Sequence, residues 1–277
     1  MDRESERAAR EKKETLVRML KEIPSLILAF SGGTDSSFLL AVAHEALKDR
    51  VVAATADSFT FPSREKEEAI EFARKIGIEN IVFKSDESAI PEFVANRPDR
   101  CYFCKKSLST ELIKIAADRG IKNIAYAVNI DDLKDYRPGI DAANETGIIS
   151  PLVDAGLNKE EIRFLSKEMG LATWDKPAMA CLASRIPYGT QITAEKLKVV
   201  EDAEEFLFKM GFKQLRVRHH GPVARIETGE TDFMRFFEED VRKSIVKRFK
   251  ELGYKHISLD LEGFVSGSMN RTLPGKS

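Results

Sequence analysis

The 277-residue chain is short of several things: it holds one tryptophan, three cysteines, four histidines and two glutamines. An odd, small number of thiols does not build a secreted disulfide framework. No apolar run approaches membrane-spanning length, and Met1 to Thr15 are almost all charged or small. Neither a signal peptide nor a membrane anchor is therefore expected, and the chain is read as cytoplasmic. An excess of charge of one sign is missing too. Lys plus Arg number 44 and Asp plus Glu 45, for a net charge of −1, which removes any global attraction to nucleic acid. Two common nucleotide loops, G-x-x-x-x-G-K-[ST] and G-x-G-x-x-G, are absent. What remains is ample for folding: 43% of residues are apolar, enough for one large domain or two modest ones.

One stretch carries the most information. Leu26 to Phe30 is an apolar run of the kind found in buried parallel strands. Ser31, Gly32, Gly33, Thr34, Asp35, Ser36 and Ser37 follow, and Phe38 to Leu47 reads as a helix. Paired glycines let a backbone turn sharply and approach a ligand, and a helix N-terminus presents free N–H groups to an anion. Hydroxyls crowd the same point, so the segment reads as a phosphate cradle. It resembles the SGGxDSS signature of the PP-loop ATP pyrophosphatases, which implies binding of ATP and its cleavage to AMP and pyrophosphate. Asp35, at the start of the helix, suits Mg²⁺ that neutralises the leaving pyrophosphate.

Strands are predicted at Val51–Ala56, Asn80–Lys84 and Asn123–Val128, alternating with helices at Glu4–Glu22, Arg64–Ile76, Ser107–Arg119 and from Asn158 to Met169. Asn158 with Glu161 forms a capping-box pattern. Such alternation implies a parallel sheet covered on both faces, with ligands at the carboxyl ends of its strands. Asp57, Ser58, Asn129, Asp131 and Asp132 all follow strands and should converge with Ser31 on one crevice. Asp57 and Ser58 are candidates for its adenosine side, Asp131 and Asp132 for a metal or ribose site. Beyond Gly189 the order becomes helix, two strands, helix, strand. The expected fold is thus α/β: a parallel-sheet PP-loop domain over residues 1–188, followed by a smaller α+β domain over 189–277.

Cys101 and Cys104 form a C-x-x-C pair, and Cys181 lies far along the chain. Inert core thiols, a redox disulfide and structural zinc are all readings of such a set. Zinc normally takes four protein ligands, and no histidine stands at finger spacing. Three thiolates can also hold a 4Fe–4S cluster with one iron left open for an extra sulfide.

The segment from Pro177 through Cys181 and Arg185 to Thr190 resembles the LarE family, as do the stretches Arg100–Lys105, Asp135–Gly139 and Arg216–Gly221. The likeness runs from about Glu14 to Asn270. LarE proteins are ATP-dependent sulfur transferases of nickel-pincer nucleotide synthesis. The resemblance implies adenylation of a carboxylate of pyridinium-3,5-biscarboxylic acid mononucleotide, attack by sulfur, departure of AMP, and a thiocarboxylate product. Some members sacrifice the sulfur of the cysteine matching Cys181. Three-cysteine members are thought to use a 4Fe–4S cluster, here on Cys101, Cys104 and Cys181. After the fourth strand the family commonly has Gly-Thr-Asn, where this chain has Ala127, Val128 and Asn129.

Arg185, four residues past Cys181, is expected to hold a phosphate of substrate or AMP. Arg216 and Arg218 alternate along a strand, share a face, and with His219 suit the phosphate of the mononucleotide. Trp174 is a candidate to stack on the pyridinium ring. The expected partners are the nucleotide substrate, a sulfide or other sulfur donor, and further copies of the chain. Three other functions fit parts of the pattern. A tRNA thiolase is disfavoured by the net charge. An amide-forming ligase of the NAD- or GMP-synthetase type would not need the thiols, and an adenine-nucleotide sensor would not release pyrophosphate.

Overall fold

The computed structural model describes the chain apart from residues 135–138, 140, 141, 143, 144, 178, 179, 266 and 273–277. The Asp135–Gly139 stretch and the Pro177–Cys181 segment therefore fall in part outside the described residues. The chain divides into two compact units, Met1–Glu87 with Cys101–Met179, and Ser88–Arg100 with Ala180–Ser277. The expected boundary was at 188/189; the division lies at 179/180, and a short inner segment groups with the C-terminal unit. Among the described residues no helix is long and apolar enough to cross a membrane.

The first unit opens with helix α1 (Arg3–Glu22), capped by the Asp2 carboxylate on the Ser5 N–H. It buries Leu16 and Leu20. Strand β1 (Leu26–Ala29) follows, then helix α2 (Thr34–Leu47), strand β2 (Val51–Asp57), helix α3 (Ser63–Lys75) and strand β3 (Asn80–Lys84). Helix α4 (Arg100–Asp118), strand β4 (Asn123–Ala125) and, beyond a short helix at Pro151–Asp154, helix α5 (Lys159–Glu168) follow. The four strands are parallel in the order β3-β2-β1-β4, with Leu26 opposite both Val51 and Asn123. Side chains alternate across the sheet. Leu26, Leu28, Val51 and Ala53 join one core cluster with α1, α2 and α5, while Ile27, Val52 and Ala54 join the other with Leu112 and Ala116 of α4. Strands buried on both faces read as continuous apolar runs for this reason. The strand order reverses between β1 and β4, and that switch point is where an open α/β sheet leaves a crevice.

Two differences from the sequence reading bear on the site. Helix α4 starts seven residues ahead of its expected start at Ser107, so Cys101 and Cys104 lie in its first two turns. Strand β4 ends at Ala125 rather than Val128, which frees the chain before Asn129 to bend.

The second unit contains helix α6 (Ala194–Lys209), capped by Thr193, the antiparallel pair β5 (Leu215–His220) and β6 (Val223–Thr228), helix α7 (Glu239–Glu251) and strand β7 (His256–Leu259). The sheet order is β5-β6-β7, with β7 parallel to β6. Val217, Ile226, Leu207, Phe212 and Phe249 form its core. A single helix over Asp232–Leu252 is expected from the sequence; the chain instead makes a 3-10 segment over Glu230–Phe237 and restarts at Glu239 after an extended Glu238. The order helix, strand, strand, helix, strand is as read.

Candidate active site

The glycine turn is built by its surroundings. Gly32 has φ +68°, and a Cβ there would lie 2.9 Å from the Cβ of Ala69 on α3. Both the left-handed backbone and the close packing require glycine. Gly33 is different: its φ is −78°, and its place is the N-cap of α2. Among the described residues no side chain caps this helix. The N–H groups of its first turn are thus left for a ligand at the positive end of the helix dipole.

The hydroxyls are not equivalent. Ser31 is exposed and its Oγ lies 3.1 Å from Ser36 Oγ, which is also 3.1 Å from the Gly33 carbonyl. Thr34 Oγ1 donates to the Thr173 carbonyl at 2.8 Å. Ser37 Oγ is buried without a hydrogen-bond partner among the described residues. Ser31 and Ser36 therefore face the turn, while Thr34 fastens it to the segment after α5.

Asp35 sits one residue into α2 with both carboxylate oxygens 2.8 Å from Lys159 Nζ. Asn129 Nδ2 reaches Asp35 Oδ2 at 3.4 Å, bridging the ends of β1 and β4. Asp132 accepts the Asn129 N–H, and Asp131 accepts the Lys159 N–H at 3.0 Å. These two acids shape the loop as well as charging it. Burial pushes the Asp35 carboxyl up, and the Lys159 ammonium pulls it back. A half-buried carboxylate that turns both oxygens to one cation fits a metal ligand, with Lys159 as the cation now beside it.

On the β2 side, Asp57 pairs with Lys66 at 2.6 Å, and Ser58 donates to buried Glu87 at 2.5 Å. Glu87 also accepts from Ser85 at 2.8 Å, and Cys104 Sγ lies 3.9 Å from it. One carboxylate thus links the candidate adenosine side to a cysteine. The next residue, Lys105, lies over the Tyr126 ring at 3.2 Å, and burial brings its ammonium down to about 8. Trp174 faces Lys167, whose Nζ is 4.7 Å from the ring centroid.

Among the described residues none of the three cysteines forms a disulfide; Cys101 and Cys181 are exposed and Cys104 is half-buried. Cys101 and Cys104, three apart on α4, share a helix face. Cys181 caps a 3-10 turn, Leu182–Arg185, in the second unit. Among the described residues no group of three His, Cys, Asp or Glu side chains is gathered as a metal site. The donors nonetheless suit iron in kind: accessible, unoxidised thiols, two of them one helical turn apart.

Arg185 departs from expectation. It is fully buried, and its Nε and Nη2 each lie 2.9 Å from Glu204. Its Nη1 donates to the carbonyls of Ala180 and Cys181 and to Ser184 Oγ. These bonds fix the turn that begins at Cys181 and occupy the fork of the guanidinium, so the geometry is not that of a side chain reaching for phosphate. Arg218 is similarly engaged, with Glu227 at 2.9 and 2.7 Å and the Ser184 carbonyl at 2.7 Å. Arg216 lies over the Phe264 ring at 5.0 Å, and burial together with the charge of Arg185 lowers its guanidinium to about 10. His219 Nδ1 is 3.1 Å from the Tyr254 hydroxyl.

The comparisons with known proteins agree with this geometry. A family model described as NAD synthase matches residues 11–98, the part that holds the glycine turn. An uncharacterised protein of Synechocystis is 41% identical over 95% of this chain and 98% of its own length. The pyridinium-3,5-bisthiocarboxylic acid mononucleotide synthase of Lactiplantibacillus plantarum is 37% identical over 95% of both chains. This chain belongs to the LarE family. A tRNA-specific 2-thiouridylase of Rickettsia felis is 29% identical, but over only 55% of this chain and 52% of its own.

Within this LarE protein, sequence reasoning passed over Lys159, Glu87, Lys176 and Glu204. Lys159 was read only as part of a helix start. Its place directly after a capping Asn, on the helix that follows the fourth strand, is the signal that could have marked it.

Proposed function

We propose that this chain is an ATP-dependent sulfur transferase acting on pyridinium-3,5-biscarboxylic acid mononucleotide. The observation that carries the reading is end-to-end likeness to a synthase of the bisthiocarboxylic acid mononucleotide, combined with an uncapped helix behind a glycine turn. The substrate carboxylate attacks the α-phosphorus of ATP, and the bond to the β-phosphate oxygen breaks to release pyrophosphate. The turn and the first N–H groups of α2 receive the phosphates. Asp35 would hold Mg²⁺, which supplies charge neutralisation on the leaving group. Lys159, paired with Asp35 in the free protein, is then available to the same phosphates. A sulfur nucleophile next adds to the acyl carbon, AMP departs, and the thiocarboxylate remains.

Cys101, Cys104 and Cys181 would hold a 4Fe–4S cluster, which supplies sulfur not drawn from a cysteine side chain. For the phosphate of the mononucleotide, the second unit offers a cluster of guanidiniums. Around Arg216, the guanidiniums of Arg185, Arg216 and Arg218 lie against the carboxylates of Glu204 and Glu227. Arg216 lies beside both forked ion pairs, and its guanidinium would receive the phosphate.

Anaerobic incubation of reconstituted protein with ATP, Mg²⁺, sulfide and the biscarboxylate nucleotide tests the reading by mass spectrometry. Thiocarboxylate, AMP and an intact Cys181 are expected. Loss of H₂S from Cys181 would replace the cluster route by a sacrificial one, and pyrophosphate release without any thiocarboxylate would overturn sulfur transfer altogether.

A further inference from the structure

One face of α3 forms a socket for the glycine turn. Ala69 fills the space where a Gly32 side chain would lie, and Glu65 and Glu68, one turn away on the same helix, hold the Lys176 ammonium at 2.6 and 2.7 Å. Glu65 is 1% exposed, and the Lys176 side chain 13%. The same ammonium donates to the Gly32 carbonyl at 3.1 Å. The backbone of this lysine is tied down as well: Arg163 donates to the Lys176 carbonyl at 3.1 Å, and Thr34 Oγ1 donates to the Thr173 carbonyl. The Thr173–Lys176 segment therefore fastens both sides of the turn, Gly32 through its carbonyl and Thr34 through its hydroxyl.

In a trans peptide the carbonyl and the following N–H point in opposite directions. A cation that holds the Gly32 carbonyl on the α3 side therefore aims the Gly33 N–H away from α3. No hydrogen bond takes up that N–H among the described residues. We infer that Lys176 is a positioning residue of the nucleotide site: it sets the orientation of the Gly32–Gly33 peptide so that the Gly33 N–H is presented to phosphate. The ammonium acts through the backbone and touches no reacting atom. Its charge also offsets Glu65 and Glu68, which would otherwise repel an anion at the turn. The inference rests on the reading of this turn as the ATP site.

The test is calorimetric binding of ATP and of inorganic pyrophosphate to wild type, Lys176→Met, Lys176→Arg and the double variant Lys176→Met/Glu65→Gln, each with its melting temperature. The double variant removes the buried carboxylate that the single one would strand, so it keeps the fold testable. Loss of a charge-assisted hydrogen bond to the turn predicts roughly tenfold or greater weakening for both ligands in the double variant. Its melting temperature should stay near that of wild type, and Lys176→Arg should recover most of the affinity. In turnover, the KM for ATP should rise more than kcat falls. Wild-type affinity in the double variant would overturn the inference while leaving the ATP site intact. Failure of wild type to bind either ligand would overturn the site reading itself. Equal weakening in the arginine variant would also refute the positioning role, because that residue keeps both the charge and a donor.

Discussion

Replacing Arg185 by methionine separates two roles that the sequence alone does not. A phosphate-binding arginine would leave the fold intact when removed and would weaken substrate binding. The structure instead places Arg185 at 0% exposure, forked onto Glu204 and bonded to the carbonyls of Ala180 and Cys181. Arg185→Met strands Glu204 in the interior with the Val217 N–H, 2.9 Å from its Oε1, as its remaining bond of those described. Breaking one side of a buried ion pair costs about 3–5 kcal/mol. For a unit of roughly 100 residues, each kcal/mol moves the melting temperature by about 4–8 °C, so a fall of roughly 12 °C or more is expected. The double variant Arg185→Met/Glu204→Leu removes both charges together and should regain most of that loss, since a hydrophobic replacement of a whole buried pair is often neutral. Differential scanning calorimetry of all three proteins measures these shifts. If Arg185→Met melts within about 2 °C of wild type, or if the double variant melts below it, the structural role is refuted.

Gly32→Ala should destabilise by about 2 kcal/mol or more, from the left-handed backbone and the overlap with Ala69, whereas Gly33→Ala should cost about 1 kcal/mol or less, the difference between glycine and alanine at an N-cap. Thermal melts of the two variants decide this, and equal effects would contradict the turn geometry. Burial raises the Asp35 carboxyl, so its charge opposes folding at neutral pH and that penalty fades as pH falls through the raised titration. Asp35→Asn should therefore melt no lower than wild type at pH 7, with any advantage shrinking toward acid, while Mg²⁺-dependent pyrophosphate release is lost. A neutral-pH melt several degrees below wild type would count against it. Cys101→Ala/Cys104→Ala should lose most iron and labile sulfide after anaerobic reconstitution yet still release pyrophosphate from ATP with substrate; unchanged iron content would remove these thiols from the cluster.

Much of the first unit was legible because its information is periodic. The apolar run at Leu26–Phe30 reports a strand buried on both faces, and Asn158 with Glu161 reports a helix start that the structure reproduces as a reciprocal capping box. The convergence of Asp35 and Asn129 followed from strand order, since both leave the carboxyl ends of strands that pair in the sheet. The start of α4 was not legible. Cys101 to Cys104 are weak helix formers and no capping box precedes them, so the stretch before Ser107 carries little helix signal. The charged residues were misjudged for another reason. Sequence patterns mark a charge as surface by default, and only the fold reveals its partner. Arg185 meets Glu204 from a helix that begins after it, and Arg218 finds Glu227 diagonally across a strand pair in which Arg216 stands directly opposite that glutamate. The two arginines with forked carboxylate partners thereby hold structure, and Arg216 carries its charge beside theirs in the same interior.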